Sequence, residues 1–181
     1  AASDVYKRQV YAVYEEEFSV NWVKCICQNS SMKEQEREEF LQEFEQNQES
    51  LVAFCIMGGI FSEGIDLTED KLIGAMIIGT GLPQVCLERE LLKYYFDRKN
   101  LNGFDYAYLY PGMNKVLQSA GRVIRTDQDR GVITLLDDRF MDRQCQEVFP
   151  REWNDFQICN SENIEEKIAK FWKAEEQTDT K

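Results

Sequence analysis

Apolar positions recur along this chain with two periods, and the periods predict a succession of helices and strands. Val10, Val13, Tyr14 and Phe18 fall at helical spacing and predict a helix over 10–18. The preceding segment, AASDVYKRQ, carries no such pattern and reads as a tail or a boundary segment over 1–9. Asn21 to Gln28 alternates as a strand does. Ser31 followed by Glu34 forms a capping box, which opens a helix running to about Asn47 with Phe40, Leu41 and Phe44 inward. The apolar run from Leu51 to Met57 reads as a buried strand that empties into Gly58-Gly59. A further strand over 74–80 ends at Gly81-Leu82-Pro83, and a helix follows over 88–98. After a turn at 100–103, Pro111-Gly112 is placed to open a helix that continues to Arg125, since proline suits a first turn. Gly131 to Leu136 reads as a last buried strand, Ile164 to Trp172 as a terminal helix, and 174–181 as a polar tail. Strands alternating with helices imply a parallel sheet with helices on both faces, with ligands beyond the carboxyl ends of the strands.

Two stretches stand out on this frame. The first is Met57-Gly58-Gly59-Ile60-Phe61-Ser62-Glu63-Gly64-Ile65-Asp66-Leu67, whose glycines let a backbone approach a ligand because they lack a Cβ. The second is Gln118-Ser119-Ala120-Gly121-Arg122-Val123-Ile124-Arg125. On a continuous helix Gln118, Arg122 and Arg125 share one stripe, while Leu117, Ala120 and Ile124 can be buried on another. Two fixed guanidiniums suit a phosphate, because arginine is always charged and presents a rigid fork of donors.

The pair of stretches, in this order and about fifty residues apart, resembles motifs V and VI of superfamily-2 helicases. The Glu63-Gly64-Ile65-Asp66 form, with Gly81-Leu82-Pro83 and Asp138-Arg139-Phe140, resembles the XPD/DinG branch of DNA helicases over roughly residues 10 to 145. The resemblance implies the second, RecA-like motor domain of such an enzyme over 10–173. That is an α/β, P-loop NTPase-like fold without its own P-loop, incomplete at its N-terminus. It further implies that Arg125 is an arginine finger for ATP hydrolysis, with Arg122 and Gln118 beside it. Gly121, Glu63, Gly64 and Asp66 would serve ATP binding, Asp66 by orienting an arginine. Gly58, Gly59 and Ser62 would approach single-stranded DNA, tracked 5′ to 3′. The phosphate loop GxxxxGK[ST] and a DEAH-type box do not occur. ATP and Mg²⁺ would therefore be held mainly by an N-terminal RecA-like partner domain, and any iron–sulfur cluster would lie outside this chain.

Composition qualifies this picture. A net charge of −12 excludes a generally basic nucleic-acid surface, so a DNA contact must be local. Seven glutamates (34, 36, 38, 39, 43, 45 and 49) crowd one predicted helix and read as a solvated face. The chain holds six cysteines without a CxxC pair and no histidine, so buried reduced thiols are expected and zinc is not. No apolar run spans a bilayer and no signal segment opens the chain, so a cytoplasmic location is expected. Beginning at Ala rather than Met, the chain reads as a fragment or a processed product. Tyr94, Tyr95, Phe96, Tyr106, Tyr108 and Tyr110 can stack on bases or pack internally, and internal packing is the expectation. The acidity also leaves a second reading: a catalytically silent RecA-like module that binds nucleic acid or a partner protein.

Overall fold

The computed structural model describes residues 2–29, 31–46, 50–58, 72–126 and 128–176. The chain divides into two compact units, Ala1–Phe140 and Met141–Lys181.

In the first unit helix α1, Ala2–Glu17, leads to strand β1, Val23–Cys27; helix α2, Glu34–Gln46, leads to strand β2, Ser50–Phe54. β1 and β2 pair in parallel, Val23 opposite Ser50 and Cys27 opposite Phe54. Strand β3, Gly74–Ile78, is followed by helix α3, Leu87–Asp97, a π-helical turn at Asp105–Leu109, helix α4, Tyr110–Ala120, and strand β4, Val132–Leu136. β3 and β4 also pair in parallel, Gly74 opposite Val132 and Ile78 opposite Leu136. Parallel strands need a crossover between them, and α2 and α3–α4 are those crossovers. This is a RecA-like α/β arrangement. Most of the buried apolar side chains of this unit cluster on α4 and its two flanks: Ala107, Tyr108, Leu109, Met113, Val116, Ala120 and Val123, with Ile77 of β3.

Several sequence expectations shift. α1 begins at Ala2, eight residues before the apolar pattern placed it. Its inward positions are Asp4, Lys7, Tyr11 and Tyr14, while Val13 and Phe18 are exposed. Tyr11 and Tyr14 close on the ring of Phe54, with centroids 5.4 and 5.5 Å away. Lys7 lies 3.1 Å from Asp4 and donates to the carbonyl of Gln28. The buried side chain of Gln28 in turn accepts from the amide of Ile56 at 2.9 Å. The capping box at α2 is set two residues later: the Glu36 carboxylate accepts from the amide of Lys33 at 2.6 Å, while Ser31 bonds to Asn29.

The entry to α4 also differs. Pro111 stands in the first turn of α4 as expected, but helical backbone already runs into it through the π-turn, where the amide of Tyr110 reaches Asp105 five residues back. Proline cannot donate to the carbonyl four residues behind it. That carbonyl, of Ala107, is taken at 2.6 Å by the guanidinium of Arg89 on α3.

In the second unit helix α5, Arg143–Gln146, a 3₁₀ turn at Arg151–Trp153 and helix α6, Ile164–Glu176, follow in order. Phe149 gathers the rings of Trp153 and Phe156 at 5.2 and 6.0 Å, and Cys145 is buried. Among the described residues no helix is long and apolar enough to cross a membrane.

Candidate nucleotide and nucleic-acid site

α4 runs antiparallel to β3, so its two ends serve opposite ends of the sheet. At the start, the chain leaving β3 turns through Gly79 and Gly81, both at positive φ, 85° and 64°. A Cβ on Gly112 would stand 2.6 Å from the Thr80 carbonyl oxygen, and one on Gly81 would stand 2.9 Å from that of Gly112. The two backbones touch because neither residue has a side chain. Lys115, one turn further along α4, lays its stem 3.4 Å from the β-position of Gly58, the residue that ends the β2 side with φ 78°. On the same edge, beyond β4, the Asp137 carboxylate accepts two hydrogen bonds from the Arg139 guanidinium, of 2.8 and 2.7 Å, and a third from its amide at 2.9 Å. Those bonds to Arg139 hold the Asp137 carboxyl below the usual carboxylate range.

The other end of α4 carries the arginines, in a geometry the periodicity misplaces. The helix stops at Ala120 rather than running to Arg125. The amide of Gly121 still reaches Leu117 at 2.8 Å; those of Arg122 and Val123 then close tighter bonds to Ser119 and Ala120. The amides of Arg125 and Thr126 leave the helix altogether, both donating to the Asp129 carboxylate at 2.8 Å. The Arg125 amide bond, then that of Thr126, hold the Asp129 pKa below its usual value. A carboxylate that captures two amides competes with the helical ladder for them, and here it wins. The buried stripe is Met113, Val116, Ala120 and Val123, while Ile124 is exposed. Val123 seats on Gly131, where an added Cβ would meet its methyl at 2.3 Å.

Gln118, Arg122 and Arg125 therefore do not share one helix stripe. Gln118 is exposed on the last turn of α4, whereas Arg122 and Arg125, both half-buried, sit on the braced turn beyond it. Gly121 is exposed in ordinary right-handed backbone. Among the described residues its β-position meets only the helix's own carbonyls, of Leu117 and Gln118 at 3.2 and 3.9 Å. Gly59, Ser62, Glu63, Gly64 and Asp66 lie outside the described residues.

A family model for the helicase C-terminal domain matches residues 2–156. The chain belongs to this family. Within it, the helicase C-terminal domain is similar to a Caenorhabditis briggsae protein named Regulator of telomere elongation helicase 1 homolog. The two are 33% identical over 135 residues, 68% of this chain and 13% of that protein. It is 34% identical over 93 residues to ATP-dependent DNA helicase chl-1 of Caenorhabditis elegans, covering 49% of this chain and 11% of the relative. It is 36% identical over 88 residues to ATP-dependent DNA helicase DinG of Photobacterium profundum, covering 48% and 13%. The domain is thus of the XPD/DinG type, and it spans about an eighth of the length of these relatives.

The rest of the chemistry is spare. Among the described residues no three His, Cys, Asp or Glu side chains are grouped to hold a metal ion. All six cysteines are free; Cys145 is buried, Cys25, Cys27 and Cys55 are half-buried, and Cys86 and Cys159 are exposed. Burial pushes the Cys25, Cys27 and Cys55 thiols up. Phe96 stacks on Tyr106 at 4.1 Å, which stands edge-on to Tyr110, and Tyr108 is buried with its hydroxyl on Glu90. Tyr94 and Tyr95 remain outward, with Arg98 and Lys99 each 5.8 Å over a ring. Sequence reasoning missed Lys115, Asp129 and Arg89. Lys115 alone left a signal, three residues from Gly112 and so on the same helix face.

Proposed function

We propose that this domain is the C-terminal motor half of an ATP-dependent DNA helicase, which couples ATP hydrolysis to 5′-to-3′ movement along single-stranded DNA. The observation that carries the proposal is the braced arginine turn. A guanidinium can stabilise a transferring phosphoryl group only if its backbone is already in place. Here the amide of Arg125 is clamped by Asp129 and the neighbouring Val123 is locked on Gly131.

In this reading an N-terminal RecA-like half binds ATP with Mg²⁺ and closes onto the turn. Water attacks the γ-phosphorus as its bond to the β-phosphate oxygen breaks. Arg125 spreads positive charge over the equatorial oxygens, Arg122 and Gln118 steady the same group, and exposed Gly121 lets it come close. Glu63, Gly64 and Asp66 connect the nucleotide to the strand, and the backbone of Gly58, Gly59 and Ser62 meets a DNA phosphate.

The test is Arg125→Ala in the complete two-domain motor. ATP turnover should fall by about 10³ to 10⁵, the range of arginine fingers, while nucleotide-free binding of single-stranded DNA persists. Turnover that survives the substitution removes the finger. The acidic charge of the chain favours the alternative, a silent binding module; in that case the wild-type assembly hydrolyses no ATP and Arg125→Ala changes nothing.

A further inference from the structure

Lys115 has no role in the reading above, yet its placement is specific. Gly112 is pressed into the Thr80–Leu82 turn, so Lys115, three residues on, must emerge over the same strand end. Its Cβ lies 3.6 Å from the β-position of Gly81, and its Cδ and Cε each lie 3.4 Å from that of Gly58. The stem thus crosses from the chain leaving β3 to the chain leaving β2. The ammonium, one bond beyond Cε, lies within about 5 Å of the Gly58 β-position. Gly58 and Gly81 both have positive φ and no side chain, so among the described residues backbone flanks the lysine stem. Among the described residues it joins no salt bridge, and the nearby carboxylate at this edge, Asp137, is engaged by Arg139. An anion arriving here would meet the charge of a half-buried lysine beside the exposed backbone of Gly58. The turn at Arg122–Arg125 lies beyond the other end of α4; the five residues from Lys115 to Ala120 alone span about 7.5 Å at 1.5 Å per residue.

From this geometry we infer that Lys115 binds a phosphodiester of the single strand where it crosses the carboxyl ends of β2 and β3, at Gly58. The inference rests on the helicase reading and extends it to a residue outside both motifs. The contact is to backbone, so it is blind to base sequence.

The complete motor, free of nucleotide, is titrated against a fluorescent oligothymidylate and a mixed-sequence oligonucleotide over a range of salt. Lys115→Met keeps the stem over Gly58 and removes the charge; Lys115→Arg keeps the charge. Lys115→Met should weaken both oligonucleotides about tenfold and lower the slope of log K against log salt by about 0.7, the share of one phosphate on a single strand. Lys115→Arg should bind as wild type. An unchanged slope for Lys115→Met overturns the inference, as does equal weakening by Lys115→Arg, which marks a packing role. If Met unsettles the fold, Lys115→Gln repeats the measurement. A wild-type motor that does not bind the strand overturns the helicase reading and this inference together. Binding with a normal slope in Lys115→Met overturns this inference alone.

Discussion

Gly112→Ala should destabilise the domain even though alanine is the better helix former. The added methyl would stand 2.6 Å from the carbonyl oxygen of Thr80 and 3.1 Å from both the amide nitrogen and Cδ2 of Leu82. Relaxed carbon contacts lie near 3.5 to 4.0 Å. Two of the three obstacles are main-chain atoms, and they cannot retreat cheaply, because Gly79 just before them is tied to Leu136 at 3.1 Å. Overpacking of this kind costs about 1–3 kcal/mol, and backbone obstacles put the site at the upper end. Exchanging glycine for alanine in a helix returns about 1 kcal/mol. The net loss is about 2 kcal/mol. At roughly 2–4 °C per kcal/mol for a chain of this size, Tm drops by about 4–8 °C. Thermal and urea unfolding followed by circular dichroism measure it. Gly121→Ala is the internal control: among the described residues its methyl meets only the carbonyls of Leu117 and Gln118, so stability should move by no more than about 0.5 kcal/mol. Gly112→Ala unfolding at or above the wild-type temperature would refute the seating of α4 on the β3 turn.

Two further substitutions probe the ends of the unit. Asp129→Asn removes the charge that holds the Arg125 and Thr126 amides. Because the folded carboxyl titrates below its ordinary value, the carboxylate stabilises at neutral pH and loses that contribution as pH falls below the unfolded pKa of about 3.9. The variant should be the less stable protein at pH 7, with the gap closing in acid; denaturant midpoints at stepped pH that show a constant gap contradict the clamp. Lys7→Ala strips a buried cation, 8% exposed, from Asp4 and the Gln28 carbonyl. Breaking a buried pair costs 3–5 kcal/mol, and Arg8, 3.2 Å from Asp4, softens this to about 3 kcal/mol. A urea midpoint indistinguishable from wild type would mean that the first turns of α1 do not bear on the core.

What was legible in the sequence follows from where the folding information is local. β2, β3 and β4 are bounded within a few residues because each is a short apolar run ended by glycine or polar residues, and β1 is bounded by its alternation. α2 and α3 are likewise placed, by the spacing of Phe40 and Phe44 and of the residues over 88–98. The start of α1 was not legible, because its inward face is Asp4 and Lys7, which carry no apolar periodicity. The end of α4 was hidden for another reason. Gly121, the C-cap of α4, is the local stop signal between Ala120 and Arg125, but glycine alone does not fix a helix end. The amides beyond it are held by Asp129, which lies further along the chain and competes for them. The π-turn is also non-local, since it depends on Arg89 supplying the donor that Pro111 lacks. The motif residues were recognisable as a set. Their arrangement, a braced turn rather than a helix stripe, became visible only with the contacts of Gly131 and Asp129.

The placement of α4 has a mechanical consequence. Glycine-to-backbone contact fastens one tip of this rod and a valine-in-glycine socket fastens the other, with about three turns of unbroken hydrogen bonding between them. A helix of that length is stiff along its axis. A pull applied at the arginine tip is therefore delivered at the glycine tip as displacement rather than absorbed as bending. A displacement imposed on one tip would therefore reach the other, and a looser seat at Gly112 would show first as slippage between the two ends.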